Sequence, residues 1–434
     1  MGKYDKYKDS NVPWIGEIPE HWDLKRMRFV ARLYNGDSLN DTEKSHYADT
    51  PDDDDSVPYI ASKDIDRDTE FIDYANGIRI PKNEPDFKVA PAGTSLLCIE
   101  GGSAGKKMGF VNQDVCFVNK LCCFDAVINN KFLYYYIKSK SFWEVFFQNI
   151  QGMIGGVSIS RIKDFVVPIP SDEEQDAIVV YLDKKCADID KAITTQQKRI
   201  DLLKELKQKI IADAITKGIN PQVNMKASGI FWIGQTPKHW EVKRVKFTGE
   251  ARNGLTYSPN DVCSEEDGML VLRSSNIQEG ELSFEDNVYV SKIDDRLIVK
   301  PGDTIICSRN GSLSLVGKSA FVENTINATF GAFMLRYRSY ENAKYAYYMV
   351  STAIMQYKSL FSTTTVNQLT LEIFKDMIVS VPPKEEQEAI LKYLDRELPP
   401  IDAKIETSEQ ELNLLKEYKQ SLITEVITGK RKVI

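Results

Sequence analysis

The sequence predicts an α+β protein built as a pseudo-twofold tandem repeat: two globular modules separated by two long, antiparallel coiled-coil helical regions. Three observations predict it. Trp14-Ile15-Gly16-Glu17-Ile18-Pro19-Glu20-His21-Trp22 returns as Trp232-Ile233-Gly234-Gln235-Thr236-Pro237-Lys238-His239-Trp240, displaced by 218 positions. Glu173-Glu174-Gln175 with Tyr181-Leu182-Asp183 returns as Glu385-Glu386-Gln387 with Tyr393-Leu394-Asp395, displaced by 212. Apolar residues then recur in steps of four and three after each second motif. Two long copies mark a duplicated architecture and exclude a solenoid. A pseudo-twofold body suits a ligand with two related halves, of which DNA is the commonest.

Taken in order, the chain divides into a module over 1–170, a helical spacer over 171–222, a second module over 223–381 and a distal helical spacer over 382–434. The modules carry short β-type runs bounded by turn residues. Examples are Ser95 to Ile99, Phe165 to Ile169, Thr304 to Cys307 and Met377 to Val381. Aromatic-rich stretches at helical spacing, Lys131 to Asn149 and Ala343 to Ser359, predict short helices between them. Pro170-Ser171-Asp172 and Pro382-Pro383-Lys384, each followed by carboxylates, start a short helix ahead of each long one. The first seam runs Ile189, Ile193, Gln196, Ile200, Leu203, Lys207, Ile210, Ala214. Its copy runs Ile401, Ile405, Ser408, Leu412, Leu415, Lys419, Leu422, Val426. A sustained 4-3 spacing is a coiled-coil seam, and a polar residue shared at one position is a register device. Either helix could instead merely cover its own module; two equal seams favour their pairing.

Composition bounds the function. Apolar content of 42% and charged content of 27% are ordinary for a globular protein. Met1 to Asn11 is too polar for a secretory signal, and no window reaches the length of an apolar membrane span. Seven cysteines without a C-x-x-C pair read as reduced, buried side chains, so a cytoplasmic protein is expected. Three histidines make a histidine-rich metal site improbable. The net charge of −7 argues mildly against nucleic acid, but part of it sits in the run Asp52 to Asp55, read as a solvated loop tip. The field at the contact surface, not the overall sign, decides DNA binding.

No catalytic set emerges, and neither metal nor cofactor is expected. Gly311 to Ser319 imitates a phosphate loop but has five residues between its glycines where four are needed, and strand-like sequence follows it. Its counterpart, Gly101 to Gly109, lacks the Gly-Lys-Ser end. There is no nucleophile elbow, no H-E-x-x-H and no Asn-Pro-Pro-aromatic segment. His21 and His239, each beside a tryptophan, read as structural clamps at the start of each module.

The Trp-Ile-Gly-x-x-Pro-x-His-Trp opening, the Pro-x-x-Glu-Glu-Gln helix start and the Ile427-Thr428-Gly429-Lys430 ending resemble the specificity subunit of type I restriction-modification enzymes. The likeness covers nearly the whole chain. It departs at Ile215-Thr216-Lys217-Gly218, where Gly and Lys are exchanged. The resemblance implies that each module is a target-recognition domain for one half of a split double-stranded DNA sequence. It also implies that the helical regions dock two adenine-methyltransferase subunits, that restriction subunits join those, and that chemistry belongs to the partners. Independently, a helix from Ile189 to Ala214 is about 40 Å long, close to the roughly 34–36 Å between half-sites on one DNA face. The alternative is a structural adaptor or antirestriction decoy that binds methyltransferase subunits without reading DNA; a fused enzyme comes third.

Candidate DNA contacts lie in two clusters per module. Ala61-Ser62-Lys63-Asp64-Ile65 aligns with Arg273-Ser274-Ser275-Asn276-Ile277 at a displacement of 212. Ser62, Lys63 and Ser274 offer polar groups to base edges, Arg273 suits a guanine and Asn276 an adenine. Gly102, Ser103, Lys106 and Lys107, and in the second module Arg309, Asn310, Ser312 and Lys318, suit phosphate contact. The competing reading makes the first cluster a strand-capping turn.

Overall fold

A computed structural model describes residues 2–53, 55–152, 155–291, 294–361 and 367–433. Asp54 of the acidic run lies outside them; Asp52, Asp53 and Asp55 are exposed, as a loop tip requires. The chain forms two compact units. One comprises Met1–Gln197 with Glu409–Ile434, the other Lys198–Ser408.

Each unit holds one antiparallel and one mixed four-stranded sheet. In the first unit one sheet is antiparallel, in the order Ala31–Asn35, Leu121–Ala126, Ser95–Cys98, Met108–Phe110. The other is mixed, in the order Arg79–Pro81, Ser56–Ile60, Val115–Phe117, Val89–Ala90, with the two central strands parallel. In the second unit the antiparallel sheet runs Gly249–Asn253, Met334–Ser339, Asp303–Cys307, Ser319–Phe321. Its mixed sheet runs Val262–Cys263, Tyr289–Val290, Met269–Leu272, Ala328–Phe330, so here the parallel pair, Met269–Leu272 beside Ala328–Phe330, lies at the sheet edge. The central strands bury Leu96, Leu97 and Cys98, or Ile305, Ile306 and Cys307, on both faces. Continuous apolar runs rather than alternation follow from that burial.

An antiparallel clasp joins the ends of each module. Asp23–Arg26 pairs with Val166–Ile169, and Glu241–Arg244 with Ile378–Val381. Everything between the paired strands can vary without moving the chain's entry or exit. The aromatic-rich stretch of the first module is two helices, Asn130–Lys138 and Lys140–Gln148, rather than one. Ser139 separates them: its extended backbone ends one helix, and its hydroxyl accepts from the Phe142 amide to start the next. The second module keeps a single helix, Ala343–Tyr357.

The expected short-then-long helix pairs are instead continuous. The central helix spans Asp172–Lys217 and the distal one Lys384–Ile427. No breaker separates the motifs in the first, so hydrogen bonding propagates through it. The second carries Pro399 and Pro400, whose rings point to solvent while Leu398 and Ile401 stay buried. Each predicted seam position is buried or half-buried.

Within each unit the helices run antiparallel. In the first unit Asp190 pairs with Lys419 at 2.6 Å and Gln196 donates to Glu411 at 2.6 Å. In the second, Lys207 pairs with Asp402 at 2.5 Å. The two seam lysines therefore have repeat-related partners, which explains their place in an apolar stripe. Partly exposed pairs of this kind add at most about 1 kcal/mol each; their larger effect is to fix register.

The core of the first unit joins Ile178, Leu182 and Ile189 of the central helix to Leu422, Ile423, Val426 and Ile427 of the distal one, with Trp22 among them. The second unit mirrors it, with Ile211, Ala214 and Ile215 beside Ile390, Leu394, Leu398 and Trp240. At each closing helix end a glycine meets the tryptophan. Gly429 has φ +73°, and a Cβ there would lie 2.2 Å from Pro19 Cδ and 3.2 Å from Trp22. Gly218, also at φ +73°, would place one 3.1 Å from Trp240. The exchanged Gly-Lys order thus leaves the function of the glycine intact. Glu174 and Glu386, at the helix starts, bind His21 and His239 at 2.9 and 2.5 Å, so both histidines are clamps.

Gly429→Ala should lower the thermal midpoint more than Gly77→Ala. Both have positive φ, which alone costs roughly 1–3 kcal/mol, but nothing lies within 4 Å of a Cβ at Gly77. Equal losses would show that the Trp22 contact contributes nothing.

Candidate nucleic-acid interface

The two sequence-predicted clusters of each module meet in space. In the first module a 3-10 turn, Ser62–Asp64, follows the strand Ser56–Ile60. Asp64 shapes it by accepting from the Ala61 amide and from the Asn76 side chain, both at 2.8 Å. Lys107, from the loop after Ser95–Cys98, donates to the Ser62 carbonyl at 2.8 Å and so ties loop to turn. Lys63 and Lys106 are exposed beside them, Lys106 donating to the Gly102 carbonyl at 3.1 Å. Ser103 is half-buried in the same loop, and a Cβ on Gly102 would meet nothing within 4 Å.

The second module repeats the device. The turn Ser274–Asn276 is tied by Lys318, which donates to the Ile277 carbonyl at 2.6 Å. Asn310 Nδ2 adds a bond to Ser274 Oγ at 3.3 Å, and Asn310 Oδ1 accepts from the Ser312 amide at 3.0 Å. The loop leads into the strand Ser319–Phe321, not a helix, so it lacks the helix N-terminus of a phosphate loop. Arg309 lies over the exposed Phe333 ring, 5.1 Å from its centroid.

Asn276 is a correction. Its side chain is fully buried, donates to Ser283 O, Asp286 O and Asn287 Oδ1, and accepts from the Arg273 amide. A saturated, buried amide has no edge to offer an adenine, so Asn276 builds the turn. Arg273 is partly engaged: it donates to the Asp286 carbonyl at 2.9 Å and pairs with its carboxylate at 2.8 Å. That guanidinium holds the Asp286 carboxyl below the usual range. Beneath the loops, burial pushes the Cys98 and Cys307 thiols up, as for inert core cysteines.

A second repeated surface lies on the long helices. Leu202 and Leu414, displaced by 212, are 64% and 63% exposed; Leu206 and Tyr418, displaced equally, are 45% and 49% exposed. Leu202 and Leu206, like Leu414 and Tyr418, are one helical turn apart and leave an exposed apolar step on their helix. The sequence reading followed only the buried seam and passed over these positions.

Among the described residues no group of histidines, cysteines and carboxylates could hold a metal ion, and no helix is long and apolar enough to cross a membrane.

Comparison with known proteins agrees with this geometry. The family described as the type I restriction modification DNA specificity domain matches residues 19–205 and 237–417. The MjaVIII specificity subunit of Methanocaldococcus jannaschii is 23% identical over 98% of this chain and 97% of its own length. The EcoKI specificity subunit of Escherichia coli K12 is 27% identical over 45% of this chain and 44% of its own. A chain solved in work on complex assembly and conformational transition of a type I R-M system shares the fold, with a TM-score of 0.66 at 15% identity over 94% of this chain and 98% of that one.

Asn276→Ala should destabilise the protein by roughly 1–3 kcal/mol, the cost of leaving buried partners unsatisfied, as a lower midpoint in chemical denaturation. Unchanged stability with altered DNA preference would return Asn276 to the reading surface.

Proposed function

This chain belongs to the type I restriction-modification DNA specificity family, and we propose that it reads a bipartite duplex target, one half-site per module. The recognition domains are 1–170 and 223–381, with 171–222 and 382–434 as the helical spacers between them. Two adenine-methyltransferase subunits dock on the chain, restriction subunits join through them, and chemistry is left to these partners. The observation that carries the reading is one frame built twice around unlike loops. The order of the antiparallel sheet, the clasp, the turn and the lysine tie recur in each module, whereas the mixed sheet and the loop side chains differ. Two equal frames with unlike edges suit two unlike half-sites.

Contacts divide by chemistry. Ser62, Lys63, Gly102, Ser103 and Lys106 in the first module, and Ser274 and Ser312 in the second, offer hydroxyls, amides and ammonium groups suited to phosphate or base edges. Lys107 and Lys318 each commit one donor to a carbonyl and keep others for phosphate. The paired steps Leu202/Leu206 and Leu414/Tyr418 support docking of two copies of one partner. Mapping methylated adenines in cells carrying this chain and its methyltransferase should reveal a split motif. A chain that binds the methyltransferase but shows no salt-dependent DNA binding would be an adaptor instead.

The spacer should set the gap between half-sites. Inserting four residues, nearly one helical turn, after Ile200 lengthens the central helix by about 6 Å. At about 3.4 Å per base step, the non-specific gap should grow by one or two base pairs while both half-sites keep their sequences. An active variant methylating the original motif with its original gap would overturn the ruler.

A further inference from the structure

Backbone hydrogen bonds align the two modules more finely than sequence displacement does. Cys98 accepts from Gly105 and donates to Lys107; Cys307 accepts from Gly317 and donates to Lys318, all at 2.8 Å. Ile99 donates to Lys120 and accepts from Val157; Ser308 donates to Phe333 and accepts from Leu369. Cys98 Sγ bonds the Glu100 carbonyl, and Cys307 Sγ bonds the Arg309 carbonyl. Glu100 bridges to Gly156 and Arg309 pairs with Gln368, residues that are again 212 apart. Glu100 and Arg309 therefore occupy the same place, as do Lys120 and Phe333. Their displacements of 209 and 213 hide the match from any fixed offset.

One structural position thus carries a carboxylate in one module and a guanidinium in the other, at the loop edge beside the tied turn. A phosphate clamp cannot alternate in that way, because a carboxylate repels phosphate. Base edges accept both chemistries: guanine O6 and N7 take a guanidinium, and the amino group of cytosine donates to a carboxylate. Resting on the half-site reading above, we propose that Glu100 and Arg309 are the corresponding specificity-determining side chains of the two modules, Arg309 reading a guanine and Glu100 a cytosine.

Local geometry suits the role. The guanidinium of Arg309 lies over the Phe333 ring, 5.1 Å from its centroid, a contact that restrains the fork. Phe333 is 58% exposed, so its ring can follow the arginine into a groove. Glu100 is likewise exposed beside Gly101 and Gly102, where the open loop lets a base approach closely. The opposite charge at the corresponding position favours a base edge over phosphate as the partner of Arg309.

The test uses the full chain with its methyltransferase, reading methylation motifs and DNA affinity for Arg309→Gln and Glu100→Gln. Arg309→Gln should lower preference at one guanine of one half-site by roughly tenfold or more, leaving the other half unchanged. Glu100→Gln should do the same at one cytosine of the opposite half. Glu100 is exposed and Arg309 half-buried, and an unchanged thermal midpoint confirms folding of both variants. A uniform loss of affinity with a flatter salt dependence would make Arg309 a phosphate contact and overturn the proposal, as would an unchanged motif. Failure of the unsubstituted chain to show any sequence preference would instead overturn the half-site reading itself.

Discussion

The fold depends on each module being closed by the far end of a long helix. Trp22 opens the first module, yet the chain that covers it is Val426 to Gly429, the end of the distal helix. Trp240 opens the second and is covered by Ala214 to Gly218, the end of the central helix. A left-handed glycine lies against the tryptophan in both: a Cβ would collide with Pro19 at Gly429 and crowd the Trp240 ring at Gly218. Neither core is complete in its own repeat. Long-range closure of this kind makes both helices integral to the modules and not mere connectors.

That closure also fixes helix register. With both helix ends committed to cores, the ion pairs Asp190–Lys419 and Lys207–Asp402 hold the antiparallel seam where the apolar positions meet. The modules can then diverge at their loop edges without disturbing the frame. The strand clasps at Arg26 and Arg244 confine that divergence to the segment between them. Constancy below and variation above is the physical form that a programmable reader needs.

Much of this was legible in the sequence because its cause is periodic. The Ile189 to Ala214 seam and its copy follow from step spacing, and every position is buried or half-buried as expected. The duplicated His-Trp openings were equally plain. Helix continuity was not, since Pro399 and Pro400 tolerate an exposed face that a linear reading cannot see. The reading surface was harder still. Asn276 has the side chain of an adenine reader, and only its burial reveals that it builds the turn. Glu100 was missed because loop insertions shift the displacement between 209 and 213, so its equivalence to Arg309 appears only through hydrogen bonding.

The most direct measurement is a module exchange read by methylation mapping. Replacing Arg244 to Asp376, which runs from the last residue of the first clasp strand to just ahead of the second, with the corresponding segment of a relative of different specificity leaves both helices and the first module untouched. The account predicts a motif in which one half-site changes to that of the donor while the other half and the gap persist. A motif altered in both halves would contradict independent readers on a shared frame.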